Sequence, residues 1–269
     1  VRTALVAVDR TMEGDAIYTS ETLIKAEHDV LRMAQAGRGR WHGVPPASVE
    51  IALTKDTLLS AEQRDAIAHA LNDDAIVAIE GPPGAGKSHM TAALRVIAKA
   101  AGLSLRVTSV SWQATHVVRR DAGVAPARAS ALAPLLVALE RGQHVLTAQD
   151  IVIVDEAGMS GLLEIAALAR HCVTAGAKLI LLGDTRQLQP VSAGAPMRAL
   201  TRLIGHGALH TIRRQEMDWM RQASMDLAAG RASAAIDSYD MAGAIAMHSG
   251  RDKTLAEAAK HYLEPVLGY

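Results

Sequence analysis

Hydrophobic positions along the chain fall into two kinds of pattern. Between residues 20 and 37, Leu23, Ala26, Val30 and Met33 recur on one helical stripe, with Thr19 or Ser20 able to cap it, Glu21 in its first turn and Gly37 at its end. The spacing predicts a small N-terminal helical element. Residues 37–48 are rich in Gly and Pro and break the periodicity, which predicts a linker and a domain beginning near residue 50. Beyond it Ser60 can cap a helix running to about Leu71. Short, nearly unbroken apolar runs then follow at 75–80, 104–110, 151–155 and 178–184, separated by helix-like segments such as 88–100 and 161–175. Strands alternating with helices predict parallel βαβ units and a three-layer α/β sheet. Such sheets bind ligands at the carboxyl ends of their strands, and there the polar residues collect: Gly81 onward, Asp155-Glu156 and Gly183-Asp184.

Composition narrows the partners. The 269 residues are 49% hydrophobic, 21% charged and 3% aromatic, so the chain can bury a substantial core and suggests two domains or one with an appendage. Twenty-eight basic residues balance 28 acidic ones, so any nucleic-acid binding must come from a local groove rather than from a whole-molecule field. One cysteine, Cys172, excludes an internal disulfide and points to a reducing compartment, the cytoplasm by default. No stretch approaches the roughly 18 apolar residues of a membrane span, and the apolar run at 4–8 is too short for a signal-peptide core. His206 and His210 lack a carboxylate at helical spacing and read as structural or surface histidines rather than zinc ligands. No repeat is visible, which argues against a solenoid.

The chemistry sits between the first apolar run and the helix after it. Gly81-Pro82-Pro83-Gly84-Ala85-Gly86-Lys87-Ser88 fits G-x-x-x-x-G-K-[ST], the phosphate-binding loop of nucleotide-dependent proteins. Glycines let backbone N–H groups turn inward around a phosphate, and the following helix presents its positive end. In that loop Lys87 reaches the β and γ phosphates of ATP and Ser88 ligates Mg²⁺. The bland alternative is a glycine turn that happens to precede a lysine. Further on, Ile151-Val-Ile-Val-Asp155-Glu156 places two acids where a buried strand ends. Asp155 suits Mg²⁺; Glu156, one position later, can orient and deprotonate an attacking water, which favours hydrolysis over transfer to a metabolite. As a plain reading, the pair is a solvated strand terminus.

A third signal is Leu181-Leu-Gly183-Asp184-Thr-Arg-Gln187-Leu-Gln-Pro190-Val191. Gly-Asp-x-x-Gln-Leu-x-Pro-Val after a hydrophobic strand resembles motif III of superfamily 1 DNA helicases of the RecD-like branch, a group of AAA ATPases. Asp155-Glu-Ala-Gly-Met159 is similar to their motif II, and Leu59-Ser-Ala-Glu-Gln63 resembles the motif that reads adenine through its glutamine. Thr211-Ile-Arg-Arg214-Gln215 looks like motif IV, and the continuation from Asp218-Trp-Met-Arg-Gln-Ala-Ser is closest to the helicase region of TraA-type, MobF-class conjugal transfer relaxases. The resemblance implies a RecA-like lobe in which Gln63 meets the adenine edge, Asp155 the metal and Glu156 the hydrolytic water. It further implies that Gln187 senses the γ-phosphate and that Arg214 neutralises charge in the transition state, with Arg213 as substitute. On residue chemistry alone, Gln63 and Gln187 are plain surface glutamines.

For the DNA partner the signal is thinner. Residues 109–120 lie where the family places motif Ia, but without its usual Pro-Thr and small-residue pair. Trp112 can stack on a base of single-stranded DNA, and Arg119 or Arg120 can meet phosphates. Equally, Trp112 reads as a partly buried tryptophan and the arginines as a solvated helix face. No counterpart of motifs V and VI follows, so the expected organisation is an N-terminal helical subdomain and linker (1–48), a RecA-like ATPase lobe (49–205) and the opening of a second lobe (206–269) that breaks off. The relaxase signature of a histidine triad with paired N-terminal tyrosines is missing too. Expected function is an ATP-dependent helicase or translocase lobe of 5′ to 3′ polarity, serving conjugative transfer beside relaxosome proteins and weak as a motor alone. Two other classes remain open: a nucleotide-gated single-strand binding or docking module without hydrolysis, and a P-loop small-molecule kinase.

Overall fold

A computed structural model describes residues 5–10, 15–55, 58–187, 190, 193–211 and 217–267. The chain opens with an antiparallel hairpin, β1 (Leu5–Arg10) and β2 (Ala16–Ser20), whose register shifts between Ala7 and Asp9. Its alternation is too short and too exposed to have stood out in the sequence. Ser20 then caps α1 (Glu21–Ala36) by accepting from Leu23 N at 3.2 Å, as the pattern predicts. After it come α2 (Pro46–Lys55), α3 (Ala61–Ala70), β3 (Ile76–Glu80), α4 (Lys87–Ala100), β4 (Ser104–Ser109), α5 (Trp112–Asp121), β5 (Ala129–Ala131) and α6 (Leu132–Glu140). The first compact unit, residues 1–214, is completed by β6 (Asp150–Asp155), α7 (Leu162–Ala175), β7 (Lys178–Gly183), α8 (Pro196–Ile204) and β8 (Gly207–Ala208).

Six strands form one sheet in the order β5-β4-β6-β7-β3-β8, and every pairing is parallel. Side-chain alternation explains the three layers. Val77, Ile79, Ile151, Ile153, Ile180 and Leu182 point into a core shared with α3, α4 and α5. Their neighbours Ile76, Val152, Val154, Leu179 and Leu181 point into a second core with α1, α6, α7 and α8. Because both faces are covered, the strands read as continuous apolar runs. The expected α/β, RecA-like sheet is present, and its strand and helix boundaries agree with the sequence reading to within a residue or so.

Residues 37–48 depart from the expected linker. Trp41 and Val44 are buried, Trp41 N donates to Asp73 O at 2.7 Å, and Gly39 N donates to Asp74 Oδ1 at 3.0 Å. Glycine and proline bend this segment so that it packs under the α3–β3 turn, which composition alone could not distinguish from a free tether. Beneath the indole, 4.5 Å from its centre, lies the ammonium of Lys178, fully buried at the start of β7. Its Nζ donates to Asn72 O (2.7 Å), Asn72 Oδ1 (3.2 Å) and Asp74 O (2.6 Å).

Burial pushes Lys178 down from 10.5 to about 7, against the opposing pull of Asp74 and Asp73. Between those values the unfolded chain holds a proton that the folded chain does not, so this group's destabilisation is complete below pH 7 and fades as the pH rises toward 10.5. Urea unfolding should therefore show stability gained between pH 7 and about pH 10 in wild type relative to Lys178→Met. A parallel pH response in the two proteins would contradict it.

Residues 215–269 form a second compact unit. In it α9 (Asp218–Ala228) packs on α10 (Ala232–Met241), with Trp219 edge-on to Tyr239 at 5.2 Å, and α11 (Arg251–Leu267) follows. Asp226, nearly buried, accepts from Arg231 Nη2 at 2.6 Å and ties the turn between α9 and α10.

Candidate nucleotide site

The loop after β3 is shaped by its glycines. Gly81 N donates to Gly183 O at 2.9 Å, which anchors the loop's first residue to the tip of β7. Gly84 and Gly86 take φ of 80° and 85°, left-handed values that side chains resist, and Gly86 is the N-cap of α4. No acidic residue stands in the first turn of α4, so its positive end faces the loop without a competing carboxylate. Lys87 folds over the loop and donates to Gly81 O (2.6 Å) and Pro82 O (3.1 Å).

The acids arrive on the neighbouring strands. Val154 pairs with Leu181 and Glu80 with Gly183, so β6, β7 and β3 end near one level, with Asp155 at the tip of β6. Burial pushes the Asp155 carboxyl above its ordinary value, while Lys87 pulls the other way. Its Oδ1 is buried and accepts no hydrogen bond. An orphaned carboxylate oxygen beside a lysine-bearing phosphate loop is the donor that a hard cation such as Mg²⁺ requires, so the residues fit a magnesium–nucleotide complex. Glu156 holds φ at 56°, the sole positive φ outside glycine among the described residues. A left-handed glutamate costs on the order of 1–3 kcal/mol, strain of the kind that gathers at functional positions. Gly158 brings the second and third motifs together: a Cβ there would come within 2.8 Å of Asp184 O.

One cavity of about 530 Å³ gathers these groups. Pro83, Gly84, Gly86, Lys87 and Ser88 of the loop and helix start line it together with Asp155, Glu156, Gly158, Asp184 and Gln187 from the ends of β6 and β7 and the turns after them. A larger apolar cavity, about 740 Å³, lies among Trp41, Val49, Leu53 and Leu71 and contains no phosphate loop or paired acid.

Gln63 is placed differently from the cavity residues. It is 1% exposed, its Oε1 accepts from Ser60 N at 3.1 Å in a capping box, and its Nε2 donates to Gly86 O at 3.1 Å. Contact with an adenine edge would use its second Nε2–H and the second lone pair of Oε1, and would require the atoms that bury it to open. Trp112 is 52% exposed at the start of α5, with the His116 ring 6.0 Å away, and Val117 of the same helix borders the cavity. Thus Trp112 is a surface residue rather than a partly buried one. Arg119 is half-buried, and Arg120 pairs with Asp121 at 3.0 Å. Arg213 and Arg214 lie outside the described residues, as do Leu188, Gln189 and Val191 of the third motif. His206 Nε2 stands 3.7 Å from Glu80, and His210 contributes its backbone N–H to Glu62. Sequence reasoning missed Glu62, which looks like an ordinary first-turn acid until the fold brings residues 210 and 211 to it.

A parallel sheet in which an inner strand, β3, runs through a glycine-rich loop into a helix, with an acidic pair at the tip of β6, defines a P-loop nucleotide-binding fold. Residues 58–250 match the AAA domain family, and the chain belongs to that family. It is 34% identical over 96% of its length to the "Probable conjugal transfer protein TraA" of Sinorhizobium fredii and 36% identical over 83% to conjugal transfer protein TraA of Rhizobium radiobacter. Over 52% of its length it is 35% identical to the ATP-dependent RecD2 DNA helicase of Deinococcus radiodurans. The chain spans 23%, 20% and 20% of those three proteins. It is thus an AAA domain similar in sequence to TraA and to a RecD2 helicase, the resemblance that the motifs carry. Among solved structures, one of two coordinating Pif1 helicases at forked double-stranded DNA covers 69% of this chain and 51% of that chain at 16% identity, with a TM-score of 0.48. Among the described residues no helix is long and apolar enough to cross a membrane.

Proposed function

We propose that this chain is the ATP-hydrolysing lobe of a cytoplasmic DNA helicase or translocase that couples turnover to single-stranded DNA with 5′ to 3′ polarity, as part of a conjugative relaxase-helicase. The observation that carries the reading is the meeting of Lys87 and the Asp155-Glu156 pair around one cavity. Backbone N–H groups of residues 81–88 would grip the phosphates, with Lys87 moving from its loop carbonyls to the β and γ oxygens. Ser88 and Asp155 would hold Mg²⁺, which when bound neutralises charge on the phosphates. Glu156 accepts the proton of the attacking water, and Gln187, lining the same cavity, senses the γ-phosphate. Arg214 balances charge in the transition state.

On the DNA side, the exposed Trp112 and its neighbour His116 offer an aromatic platform for a base, and Arg119 and Arg120 supply positive charge beside it. Residues 1–214 would act together as the ATPase lobe, because α1 shares its core and β8 its sheet, so the opening of a second RecA-like lobe would fall at 215–269 rather than at the expected 206. Kinship with TraA supports relaxosome proteins as partners. ATP turnover measured with and without single-stranded oligonucleotide tests the reading: DNA-stimulated hydrolysis is expected. Nucleotide binding with no hydrolysis under either condition would favour a nucleotide-gated binding module, and γ-phosphate transfer to a metabolite would favour a kinase.

A further inference from the structure

Two buried oxygens without a hydrogen bond stand on neighbouring strands at the tip of the sheet. β4 and β6 run parallel in register, from Ser104 beside Asp150 to Ser109 beside Asp155. Leu105 and Val107 of β4, like Ile151 and Ile153 of β6, turn into the core shared with α4 and α5, so Ser109 and Asp155, two residues further on, turn the same way. Ser109 is fully buried and its Oγ makes no hydrogen bond. Asp155 lines the nucleotide cavity, yet its Oδ1 is likewise buried and unpaired. The buried hydroxyls on the helices over this face are already engaged. Thr91 Oγ1 of α4 donates to Lys87 O at 2.9 Å, and Thr115 Oγ1 of α5 to Ser111 O at 2.7 Å.

Alanine would fill the same space at the end of β4 without burying a hydroxyl, so packing alone gives no reason for a serine there. Neighbouring strands lie about 4.8 Å apart, and a serine and an aspartate at paired positions can bring Oγ to Oδ1 by rotation about their side-chain bonds alone. A carboxylate that holds a cation through one oxygen is kept in place by a donor on the other; without it the group is free to turn. Ser109 is the buried, unengaged donor on the strand beside Asp155.

We propose that Ser109 is a positioning residue that donates its hydroxyl to Asp155 Oδ1 when nucleotide and Mg²⁺ are bound, fixing the carboxylate so that Oδ2 is left for the metal. This rests on the reading of Asp155 as a metal ligand. The test measures the affinity of the full 269-residue chain for a fluorescent ATP analogue, once in saturating Mg²⁺ and once in EDTA. Wild type is compared with Ser109→Ala, Ser109→Thr, Asp155→Asn and the double variant of Ser109→Ala with Asp155→Asn. The ratio of the two affinities reports how strongly metal and nucleotide support each other, independently of turnover. Ser109→Ala should lower that ratio about tenfold, the scale on which metal affinity falls when a ligand loses its outer partner, while affinity in EDTA stays within about twofold. Urea unfolding without nucleotide should find Ser109→Ala at least as stable as wild type, which separates lost orientation from lost fold. Ser109→Thr keeps the donor and should hold the ratio within about threefold of wild type. In the double variant the alanine should add nothing to the loss caused by Asp155→Asn. A less stable Ser109→Ala, or a stably folded Ser109→Thr as impaired as Ser109→Ala, would assign the serine to packing and overturn the inference. If Asp155→Asn loses the ratio while Ser109→Ala keeps it, or if the two losses multiply, the inference falls alone. If Asp155→Asn keeps the wild-type ratio, the metal reading fails and takes the inference with it.

Discussion

Replacing Lys87 by alanine is expected to weaken ATP binding by about a hundredfold or more, with the fold intact. A lysine buried against a phosphate in a low-dielectric loop makes a charged contact whose removal costs on the order of 2–5 kcal/mol, and each 1.4 kcal/mol is tenfold in affinity. The loss has a second source. In the structure Lys87 Nζ covers the carbonyls of Gly81 and Pro82 at 2.6 and 3.1 Å. Without the ammonium, those oxygens keep their partial negative charge beside the place where phosphate oxygens must go. Stability should change little, because Lys87 contributes no apolar side chain to either core. Calorimetric titration with Mg·ATP checks the affinity and urea unfolding the stability. Binding within tenfold of wild type would remove the loop from the role assigned to it.

Glu156→Gln should give the opposite profile, retained nucleotide affinity with kcat lowered by about 10² to 10⁴, the usual contribution of a positioned general base. The amide keeps the size of the side chain and the same backbone demand but cannot take a proton from water. The left-handed backbone at residue 156 supplies a companion measurement. Glu156→Gly should also lack turnover, yet it frees a φ of 56° that glycine adopts without strain. Its thermal midpoint should equal or exceed that of Glu156→Gln, since relief of about 1–3 kcal/mol opposes the entropic cost of glycine. A catalytic carboxylate held at a strained position would then show as a gain in stability bought with activity. Should Glu156→Gln hydrolyse ATP at the wild-type rate, a different residue must activate the water.

Much of the site was legible because it is local. The loop at 81–88 needs a strand before it and a helix after it, and both follow from patterns a few residues long. Asp155 and Glu156 were legible as acids at the end of a buried run, although their strain and their orphaned oxygen were not. The hairpin at 5–20 was not legible because its strands are short and largely solvated, so no apolar alternation betrays them. Residues 37–48 misled for a related reason: Gly and Pro mark a bend whether or not a tryptophan inside it finds a lysine to cover.

Periodicity and motif spacing by themselves determined the parallel α/β sheet, the phosphate loop on its strand end and the kinship to RecD-like helicases, since each depends on neighbours in the chain. Tertiary structure alone decided that Gln63 holds Gly86, that Lys178 lies beneath Trp41, and that Glu62 holds His210 and Thr211. Each of these three joins distant segments through one polar side chain, and most of the partners are backbone atoms. Backbone atoms occur at every residue, so nothing in the order of side chains marks which of them a distant lysine or carboxylate will meet until the sheet is closed.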